Sequence, residues 1–587
     1  MIKLSDYVFQ FLKEKGIQHI FMLPGGGAMH LVDSLGNSGI EYICCLHEQA
    51  ASIAAEAYGQ HTNNIGVVLT TSGPGATNAI TGVTAGWIDS TPVFVISGQA
   101  KRSDLVGNTG VRQIGSQEVQ IIDMVKPVTK YAVQITEPEK IRYHMERAYA
   151  EATTGRPGPV WLSIPLDVQA AMIDETALSG YELDEQQQSV KDDILIKTVE
   201  LLKYSEKPLI LAGNGIKLGN AQGLLYELLE RLSIPVQTTW KTIDMFGEEE
   251  EVYAGHPGGM GDRGANLILQ SSDLLISIGS RLDTSLTAFN EANFGKNARK
   301  IIIDIDQSEL NRMRIEQVEG KAACDAKVFL EKLLDKVKEE EWGQQRKKWQ
   351  QWLTECHRLR ARYPVVTLEH KRVRNVVSAY YFIDVLCRNL NEKDVIVPES
   401  SGAAGEITYQ AFKLKRGQKM KNAAGLGSMG FGLPYAIGAC LANNRRRTIL
   451  INGDGAFQMN IQELETLHRL NLPVKIFIWN NAGYASIRTM QKNTFEGHYV
   501  ASGESSGLEM PNICHVAKAY RIPVYAAKDN DEVEKVLPQI LESEGPVLCE
   551  LIISPDETVS PRTKSFRLPD GSMKSSLLEE MWPLVEE

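Results

Sequence analysis

Two short polar runs in the last third of the chain follow apolar stretches that predict buried strands. The run NGDG at residues 452–455 follows the β-branched stretch 447–451, and the pair NN at residues 480–481 follows the apolar stretch 474–479. Apolar runs of this length that end in glycines are typical of buried parallel strands that stop at tight turns. Because ligands collect at such strand ends, the two runs predict one shared site.

The residue types in these runs suit a divalent metal ion and phosphate. Asp454, the amide of Asn481 and the backbone carbonyl of Gly483 are hard oxygen ligands, of which Mg²⁺ takes a few in addition to substrate phosphates. Gly455 would let a phosphate approach the backbone at the start of a helix predicted over residues 459–470. A lone GDG is more often an ordinary turn, but strands, spacing and the Asn pair together predict a metal-anchored diphosphate.

A second candidate site lies in the first 80 residues. Glu48, in the run LHEQA at residues 46–50, closes an apolar strand and precedes a small-residue helix over residues 51–58. A glutamate at that place is, taken alone, more often a cap that compensates the helix dipole. The run SGPGATN at residues 72–78 is a glycine turn suited to close packing against a flat ring, or a plain loop. With the diphosphate motif, the Glu48 carboxylate points to thiamine diphosphate.

The pattern of predicted elements favours an α/β fold of three doubly wound parallel-sheet domains with a C-terminal tail. Strands alternate with helices in each unit. A polar segment over residues 182–193 separates the first two units, and a charged helical stretch separates the last two. The predicted limits are 1–180, 190–345, a linker helix at 346–372, 373–554, and a tail at 555–587.

Composition sets the class of protein. The chain has 587 residues, is 43% hydrophobic and carries a net charge of −11, which argues against general nucleic-acid binding. Its apolar runs are shorter than the ~20 residues that cross a bilayer, and its first residues lack the apolar core of a signal peptide. Eight cysteines occur without a Cys-x-x-Cys pair, so we expect reduced, mostly buried thiols and a cytoplasmic protein with no membrane partner.

The motifs together resemble the large, catalytic subunit of acetolactate synthase and its thiamine-diphosphate relatives. The resemblance covers nearly the whole chain and is carried by HEQ at residues 47–49, the turn at 72–78, GLGSMGFG at 425–432 and the metal motif. It implies that the first unit binds the pyrimidine, the last binds the diphosphate, and the middle one is a nucleotide-type domain that holds FAD in the synthases. It also implies a dimer or a dimer of dimers, in which two subunits build each active site.

The resemblance assigns roles to individual residues. Glu48 would hydrogen-bond to N1′ of the aminopyrimidine, Gln117 would contact the reacting substrate, and Met429 would prop the cofactor into a bent shape; Gln117 could instead be a surface amide and Met429 core filler. The implied cofactor-binding residues are Pro24, Gly25, Glu48, Pro74, Asn78, Gly402, Ala403, Gly427, Met429, Gly453, Asp454, Gly455, Ala456, Asn481, Gly483 and Tyr484. The implied metal ligands are Asp454, Asn481 and Gly483.

Glycines in the middle unit fit a dinucleotide laid across strand ends, with Asp304 near the adenosine ribose. The residues expected to contact FAD are Gly213, Asn214, Gly215, Thr238, Gly279, Arg281, Asp304 and Ile305. An isolated Gly-x-Gly is a weak signal, and the equivalent domain in related proteins is sometimes empty or holds ADP, so these alternatives stay open.

Three of four departures from the synthase pattern cluster where the acceptor would bind, although each could be neutral drift. Ser116 stands where the synthases have Phe, Ser285 where they have the arginine that handles the acceptor carboxylate, and Met490 where they have a substrate-selecting Trp; Ala404 replaces a histidine of the diphosphate loop. Loss of a bidentate carboxylate clamp should penalise a 2-oxo acid acceptor by a few kcal/mol.

The runs VRQIGSQE at 111–118 and RLPDGSM at 567–573 resemble synthase-like proteins associated with surface-polysaccharide and branched-sugar synthesis. We therefore expect a carboligase that decarboxylates a 2-oxo acid such as pyruvate and transfers the acyl anion to a carbonyl acceptor, a keto-sugar nucleotide. Arg562, Lys564 and Arg567 would meet the sugar nucleotide's diphosphate, or form a solvated basic tail. The alternatives are an acetolactate synthase, a 2-oxo acid decarboxylase or oxidase, and a catalytically silent regulatory homologue.

Overall fold

Three parallel β-sheets organise the chain in the computed structural model, which describes residues 1–183 and 189–585. Each sheet is flanked by helices, so the predicted α/β class is confirmed. The predicted polar linker at residues 182–193 lies partly outside the described residues. Of the described helices, none is long and apolar enough to cross a membrane.

The first unit contains a six-stranded parallel sheet and a short antiparallel pair. Its strands are β1 (Ile2–Lys3), β2 (His19–Met22), β3 (Glu41–Cys44), β4 (Gly66–Thr70), β5 (Val93–Gln99), β6 (Tyr131–Gln134), β7 (Val160–Pro165) and β8 (Met172–Ile173). Its helices are α1 (Leu4–Glu14), α2 (Met29–Ser38), α3 (Glu48–Thr62), α4 (Pro74–Asn78), α5 (Ile80–Asp89), α6 (Ile121–Val125), α7 (Ile141–Thr153) and α8 (Leu166–Gln169). The large sheet has the order β3-β2-β4-β5-β7-β6, and β1 pairs with β8.

The middle unit contains a five-stranded parallel sheet. Its strands are β9 (Pro208–Ala212), β10 (Val236–Thr238), β11 (Leu274–Ile278), β12 (Arg299–Asp304) and β13 (Val318–Ala323), in the order β10-β9-β11-β12-β13. Its helices are α9 (Asp192–Tyr204), α10 (Gly215–Leu218), α11 (Gln222–Leu232), α12 (Arg263–Ser271), α13 (Gln307–Arg312), α14 (Ala326–Lys338) and α15 (Gly343–Arg362).

The third unit contains the second six-stranded parallel sheet. Its strands are β14 (Val395–Pro398), β15 (Lys419–Met420), β16 (Thr448–Gly453), β17 (Val474–Asn480), β18 (Val524–Ala527) and β19 (Val547–Ile552). Its helices are α16 (Leu368–Arg372), α17 (Ala379–Asn389), α18 (Ala403–Ala411), α19 (Gly432–Ala442), α20 (Asp454–Phe457), α21 (Glu463–Leu470), α22 (Ala485–Thr494), α23 (Ile513–Ala519) and α24 (Asn530–Glu542). The tail adds an antiparallel hairpin of β20 (Ser565–Arg567) and β21 (Met573–Ser575).

The first and third sheets share one topology. The third sheet has the order β15-β14-β16-β17-β19-β18, which repeats the first sheet strand for strand. In each sheet the strand that comes first in sequence, β2 or β14, lies between the second and the third. The chain therefore adds its second strand on one side of the first and its third strand on the other. Open α/β sheets bind ligands at such switch points, in the crevice outside the carboxyl ends of the strands. The fold therefore supplies crevices after β2 and β4, after β9 and β11, and after β14 and β16.

One hydrophobic core joins the first and third units. Helices α3 and α19 cross within it, and a Cβ added to Gly438 would lie 2.0 Å from the carbonyl oxygen of Ala54. Only a glycine permits this approach. The N-terminus of α3 carries Glu48, so this packing anchors a predicted catalytic residue.

One local prediction, the single helix at residues 459–470, needs correction, and one, the free and mostly buried cysteines, is confirmed. The helix predicted over residues 459–470 is divided: α20 begins directly at Asp454, a 3-10 turn follows at residues 458–460, and α21 begins only at Glu463. The apolar pattern hid this break, because side chains of both helices are buried. All eight cysteines are free and six of them are buried, as expected.

Candidate active site

The predicted metal ligands meet at the ends of β16 and β17. The backbone amides of Gly455 and Gly483 donate to the two carboxylate oxygens of Asp454, at 2.9 and 2.8 Å. Gly483 has φ +119°, which a side chain would strain. The turn after β17 is therefore folded back onto the carboxylate at the start of α20.

The amide of Asn481 lies between the same groups and can take two orientations. With its nitrogen inward it donates to the Gly483 carbonyl at 2.8 Å and to Oδ1 of Asp454 at 3.3 Å. With its oxygen inward, three oxygens converge, and a cation bound between them would stabilise that arrangement. An amide, a carbonyl and a carboxylate oxygen form a donor set that fits Mg²⁺. Among the described residues, no group of three or more His, Cys, Asp or Glu side chains is placed to hold a metal.

The buried carboxylate of Asp454 would be stabilised by a cation bound next to it. Burial raises the pKa of the Asp454 carboxyl to about 6, although the two backbone amides and Arg488 oppose the shift. Arg488 on α22 donates to the carbonyls of Ala482 and Ser502 at 2.7 and 2.8 Å, which fixes the loop that carries Asn481. Sequence reasoning missed Arg488, because its partners are backbone groups that leave no motif.

Glycine turns surround the metal ligands at the switch point of the third sheet. A Cβ on Gly455 would lie 2.4 Å from the ring of Tyr484, so the glycine and the tyrosine are in direct contact. Gly402 follows β14 with φ +76°, and its missing Cβ would lie 3.5 Å from Oγ of Ser486. The predicted residues of this unit thus lie at or after the carboxyl ends of three strands, β14, β16 and β17. They are Gly402, Ala403, Gly453, Asp454, Gly455, Ala456, Asn481, Gly483 and Tyr484.

The loop before α19 carries the remaining cofactor residues of this unit. Gly427 has φ +63°, and its amide donates to the carbonyl of Ala423 at 3.2 Å. The side chain of Met429 is 38% exposed. A core-filling methionine would be buried, so this exposure argues against the core-filler alternative, and the contact with a cofactor stays a prediction.

The carboxylate of Glu48 lies at the matching switch point of the first sheet. The Asn78 amide donates to Oε2 of Glu48 at 3.0 Å, while Oε1 borders Gly75, where a Cβ would lie 3.0 Å away. His47 is the N-cap of α3, and its ring accepts from the amide of Gln49. His47 is therefore the N-cap, and Glu48 lies in the first turn of α3, where a negative charge is favourable to the helix dipole. Its buried carboxylate also bonds to a second predicted cofactor residue, Asn78.

The other predicted residues of the first unit lie in or against the segment 71–78. Gly25, after Pro24 at the end of β2, packs on Thr71, where a Cβ would lie 2.5 Å from the Thr71 Cβ. Gln117 has φ +65°, and its carbonyl oxygen would lie 2.4 Å from a Cβ on Gly73. Pro74 begins α4 and is exposed, as is Gln117. The turn at 72–78 therefore contacts the predicted substrate residue through its backbone.

The two switch-point groups do not bond to each other within one chain. Across residues 1–183 and 189–585, no hydrogen bond joins Glu48 or Asn78 to Asp454, Asn481 or Gly483. Bonds between the units lie beside these groups: Leu46 donates to Glu463 at 2.9 Å, and Asn460 to Gln49 at 3.1 Å.

A cavity of about 440 Å³ lies where the three units meet. Six of the eight residues expected to contact FAD line it: Asn214, Gly215, Gly279, Arg281, Asp304 and Ile305. Gly213 does not, since it packs against Gly279, and Thr238 is buried beside Tyr253. The cavity occupies the switch point between β9 and β11, so its position and lining fit a nucleotide.

Charged side chains around the cavity are already paired. Arg156 bonds to Asp306 at 2.8 Å and to Glu309 at 3.1 Å. Arg281 donates to the carbonyl of Ile88 at 3.2 Å and lies 3.5 Å from a carboxylate oxygen of Asp283. Burial raises the pKa of the Asp304 carboxyl.

The structure brings together part of the predicted acceptor set. Gly259 donates to the carbonyl of Ser285 at 2.9 Å and accepts from the amide of Thr563 at 2.9 Å, so the tail crosses the middle unit beside Ser285. Lys564 lies over the Trp582 ring at 4.7 Å. Arg567 is exposed on the tail hairpin, and Ser116 and Met490 are exposed on the first and third units.

Sequence reasoning also missed Gln410, which holds the tail in place. Its buried side chain donates to the carbonyls of Gly261 at 3.0 Å and Pro561 at 2.6 Å, and accepts from the Tyr380 hydroxyl at 2.7 Å. One amide on α18 thus fixes both the wall of the cavity and the start of the tail. These partners lie far apart in sequence, so no local pattern predicts them.

Comparison with known proteins finds related domains along most of the chain. Three domain models of the thiamine pyrophosphate enzymes match: the N-terminal TPP binding domain over residues 2–126, the central domain over 195–333 and the C-terminal TPP binding domain over 401–551. The acetolactate synthase isozyme 2 large subunit of Escherichia coli K12 is 30% identical, over 98% of this chain and 99% of that protein. The acetolactate synthase large subunit of Lactococcus lactis is 32% identical, over 95% of this chain and 93% of that protein. The probable acetolactate synthase large subunit of Methanocaldococcus jannaschii has the same identity and coverage.

Proposed function

This chain belongs to the family of thiamine-pyrophosphate-dependent enzymes, and from that membership we propose that it is a carboligase. It decarboxylates a 2-oxo acid, pyruvate, and forms a carbon–carbon bond between the remaining acyl unit and a carbonyl acceptor. The observation that carries the proposal is the pair of switch-point groups. One offers a carboxylate bonded to Asn78, and the other offers three convergent oxygens above a glycine crevice.

The chain's own residues divide the work between these groups. Bound thiamine diphosphate supplies a carbon nucleophile and an electron sink for decarboxylation. Asp454, Asn481 and the Gly483 carbonyl hold Mg²⁺, and the glycine turns leave room for the diphosphate. Glu48 holds a proton at N1′ of the pyrimidine, in an orientation that Asn78 fixes. Gln117 contacts the reacting substrate from the loop packed on Gly73.

The acceptor that suits this chain best is a keto-sugar nucleotide. The exposed Ser285, whose backbone is joined to the tail through Gly259, carries a hydroxyl where the synthases it resembles have a guanidinium. Arg281, four residues earlier, is already paired with Asp283. A 2-oxo acid acceptor would lack a bidentate partner for its carboxylate, whereas a hydroxyl-rich sugar would not need one. The tail residues 562–567 would lie near the nucleotide's phosphates.

The acceptor is tested by product analysis. Purified protein with thiamine diphosphate, Mg²⁺ and pyruvate is incubated with a nucleoside-diphosphate keto-sugar. The mass of the sugar nucleotide is then determined by mass spectrometry. We expect CO₂ release and a sugar heavier by one acetaldehyde unit, the mass of pyruvate less CO₂. Acetolactate as the sole product at a normal rate would favour the second candidate, an acetolactate synthase, which the names of the relatives support.

The cavity at the three-unit junction is proposed to bind FAD. Its strand-end glycines and the buried Asp304 support a dinucleotide, and ADP would use the same adenosine contacts. A yellow purified protein with flavin absorbance is the expected result. A colourless protein that stays colourless and unshifted in melting temperature after addition of FAD or ADP would contradict the proposal.

We propose further that two chains complete each active site. Leu46 lies two residues before Glu48 and Met459 five residues after Asp454. Both are apolar and exposed, at 50% and 43%, so they suit a protein interface. Mixed dimers of Glu48→Gln and Asp454→Asn chains provide the test. If the groups come from different chains, random mixing restores one site in half of the dimers, roughly a quarter of wild-type activity; if both come from one chain, mixing restores none.

A further inference from the structure

Lys241 connects all three units through a single ammonium group. Its Nζ lies 2.7 Å from a carboxylate oxygen of Asp89 and donates to Oε1 of Gln60 at 3.1 Å, both in the first unit. It also donates to the carbonyl of Asn422 in the third unit, at 2.5 Å. The Lys241 and Asp89 side chains are only 17% and 4% exposed. The pair is therefore shielded from solvent. Charge interactions are stronger in such a buried environment than at the surface.

The residue before Lys241 contacts the same part of the third unit. The Trp240 ring stacks on Tyr409 with centroids 4.8 Å apart and planes 8° from parallel. The Tyr409 hydroxyl in turn donates to the Asn422 side chain at 3.2 Å. Trp240 and Lys241 thus fix Asn422 through its side chain and its backbone.

Asn422 begins the segment that carries the predicted thiamine diphosphate residues Gly427 and Met429. Its amide donates to the carbonyl of Glu399 at 3.0 Å, and its oxygen accepts from the amide of Ala424 at 3.2 Å. Gly427 then bonds back to Ala423. The segment 422–427 has little freedom to move without breaking these bonds.

Asp89 restrains the same segment from the first unit. A Cβ on Gly425 would lie 2.2 Å from the second carboxylate oxygen of Asp89, so the backbone packs directly on this side chain. The carboxylate therefore lies between Lys241 on one side and the glycine on the other. A shift of either partner would displace Gly425, two residues before Gly427.

These residues are also a wall of the central cavity. Asp89, Trp240, Lys241, Ala424 and Gly425 all line it. The groups that a bound nucleotide would press upon are therefore the groups that hold the base of the thiamine diphosphate loop. A nucleotide that contacts these groups acts on the residues that position the segment 422–427, so the binding free energies at the two sites can be linked.

We propose that Lys241 is a positioning residue that couples the binding of a nucleotide in the central cavity to the binding of thiamine diphosphate, by fixing residues 422–427. This inference rests on the proposal that the cavity takes a nucleotide. It is independent of the acceptor and of turnover, because both ligands are followed by binding.

The test measures the affinity for thiamine diphosphate by calorimetry with and without a saturating cavity ligand. Protein freed of cofactors is titrated with thiamine diphosphate in Mg²⁺, alone, with ADP, and with FAD. We expect the wild type to bind thiamine diphosphate at least about fivefold more tightly when ADP or FAD is present, a typical coupling between sites. By reciprocity, thiamine diphosphate must tighten ADP binding by the same factor.

The variants assign that coupling to Lys241. In Lys241→Met both ligands should still bind, but the coupling factor should fall to about one; Lys241→Arg keeps the charge and should keep part of the factor. Lys300→Met is the matched control, because Lys300 is also a buried lysine of the middle unit but donates within that unit, to Ala298. It should keep the wild-type factor.

The possible failures are distinguishable. If neither ADP nor FAD binds, both the nucleotide cavity and the coupling are wrong. If a nucleotide binds the wild type without changing its affinity for thiamine diphosphate, the coupling alone is wrong, whether or not Lys241→Met folds. If Lys241→Met keeps the wild-type factor, or Lys300→Met loses it equally, Lys241 does not carry the coupling.

Discussion

The Asn78 side-chain amide donates a 3.0 Å hydrogen bond to Oε2 of Glu48. Asn78 ends α4, the helix that begins in the glycine turn after β4, and Glu48 begins α3 after β3. The bond therefore joins two strand ends of the first sheet and fixes the rotamer of the carboxylate. An acceptor fixed in this way can hold a proton at a defined position on a bound pyrimidine.

Glu48→Gln tests that role. The amide keeps the size of the side chain and can accept from Asn78, but it cannot exchange a proton. We expect pyruvate decarboxylation to fall by about 100-fold or more, the usual contribution of a general acid–base group, with thiamine diphosphate affinity little changed. Rates are measured by CO₂ release and affinity by calorimetry.

Glu14→Gln is the control for Glu48→Gln, since Glu14 lies at the exposed end of α1. It should behave as wild type. Unimpaired turnover in Glu48→Gln would remove Glu48 from the mechanism, and lost cofactor binding would make its role structural.

Asp454→Asn tests the metal site. Asparagine can still accept one of the two backbone bonds from Gly455 and Gly483, but it lacks the negative charge that binds Mg²⁺. We expect the dissociation constant of thiamine diphosphate in Mg²⁺ to rise by more than about tenfold, and wild-type binding to be lost in EDTA. Calorimetry measures both.

Asp556→Asn provides the comparison, because Asp556, at the start of the tail, pairs on the surface with Lys492 of the third unit. Its affinity should be unchanged. Wild-type protein that binds thiamine diphosphate equally well in EDTA would show that the converging oxygens do not need a metal.

Gly73→Ala tests how the turn positions Gln117. Gly73 has φ +58°, and an added Cβ would lie 2.4 Å from the Gln117 carbonyl oxygen. The methyl group must displace the loop that carries Gln117, so we expect KM for pyruvate to rise and kcat to fall, with thiamine diphosphate still bound. Steady-state kinetics and calorimetry separate these effects.

Gly110→Ala distinguishes the clash from backbone strain. Gly110 lies in the same loop with φ +80°, but a Cβ there would meet nothing within 4 Å. It carries the strain without the collision and should retain most activity. Equal losses in both variants would mean that loop strain, and not the Gly73–Gln117 contact, matters.

Sequence patterns predicted the strands and turns of the site but not the contacts between them. The apolar stretches 447–451 and 474–479 form most of β16 and β17, and the metal motif lies at the ends of these strands as expected. Strand order is a tertiary property, so the switch points could not be located from local patterns. Lys241, Gln410 and Arg488 escaped notice for a related reason: they bond to backbone or to distant residues, which leaves no spacing to detect.

A glycine near a strand end can be required by close packing of the backbone as well as by ligand binding, and the sequence alone does not distinguish these two reasons. Gly213 and Gly215 pack against Gly279, where a Cβ on Gly213 would lie 2.2 Å from the Gly279 carbonyl oxygen. Their Gly-x-Gly pattern follows from the packing of two strand-end loops. The evidence for a nucleotide is therefore the cavity and its switch-point position, and the glycines allow the loops that form it.

Glu56→Gln should reduce the pH dependence of stability. Burial raises the pKa of the Glu56 carboxyl from 4.5 to about 7. Between these values the folded protein keeps a proton that the unfolded chain has lost, so stability falls as pH rises through this window. Glutamine cannot titrate, so the melting temperature of the variant should fall less than that of the wild type between about pH 4.5 and 7.

The Glu56 effect is limited to one proton. Glu399, whose pKa burial also raises to about 7, contributes in the same window, so some dependence remains in Glu56→Gln. Melting curves at several pH values measure the difference between the two proteins. A difference that is constant with pH would show that Glu56 does not titrate in this range.

Ser285→Arg tests whether the acceptor is selected beside Gly259. The side chain of Ser285 is exposed next to the point where Thr563 of the tail bonds to Gly259. An arginine there supplies a guanidinium that can bind a carboxylate through two hydrogen bonds. We expect acetolactate formation from pyruvate to increase by about tenfold or more and acyl transfer to a keto-sugar nucleotide to decrease, because a bidentate pair contributes ~1.5–3 kcal/mol. Thr284→Arg adds the same charge one residue away, also at an exposed position, and should change neither product, so a matching shift in both variants would reflect net charge and not a clamp at Ser285.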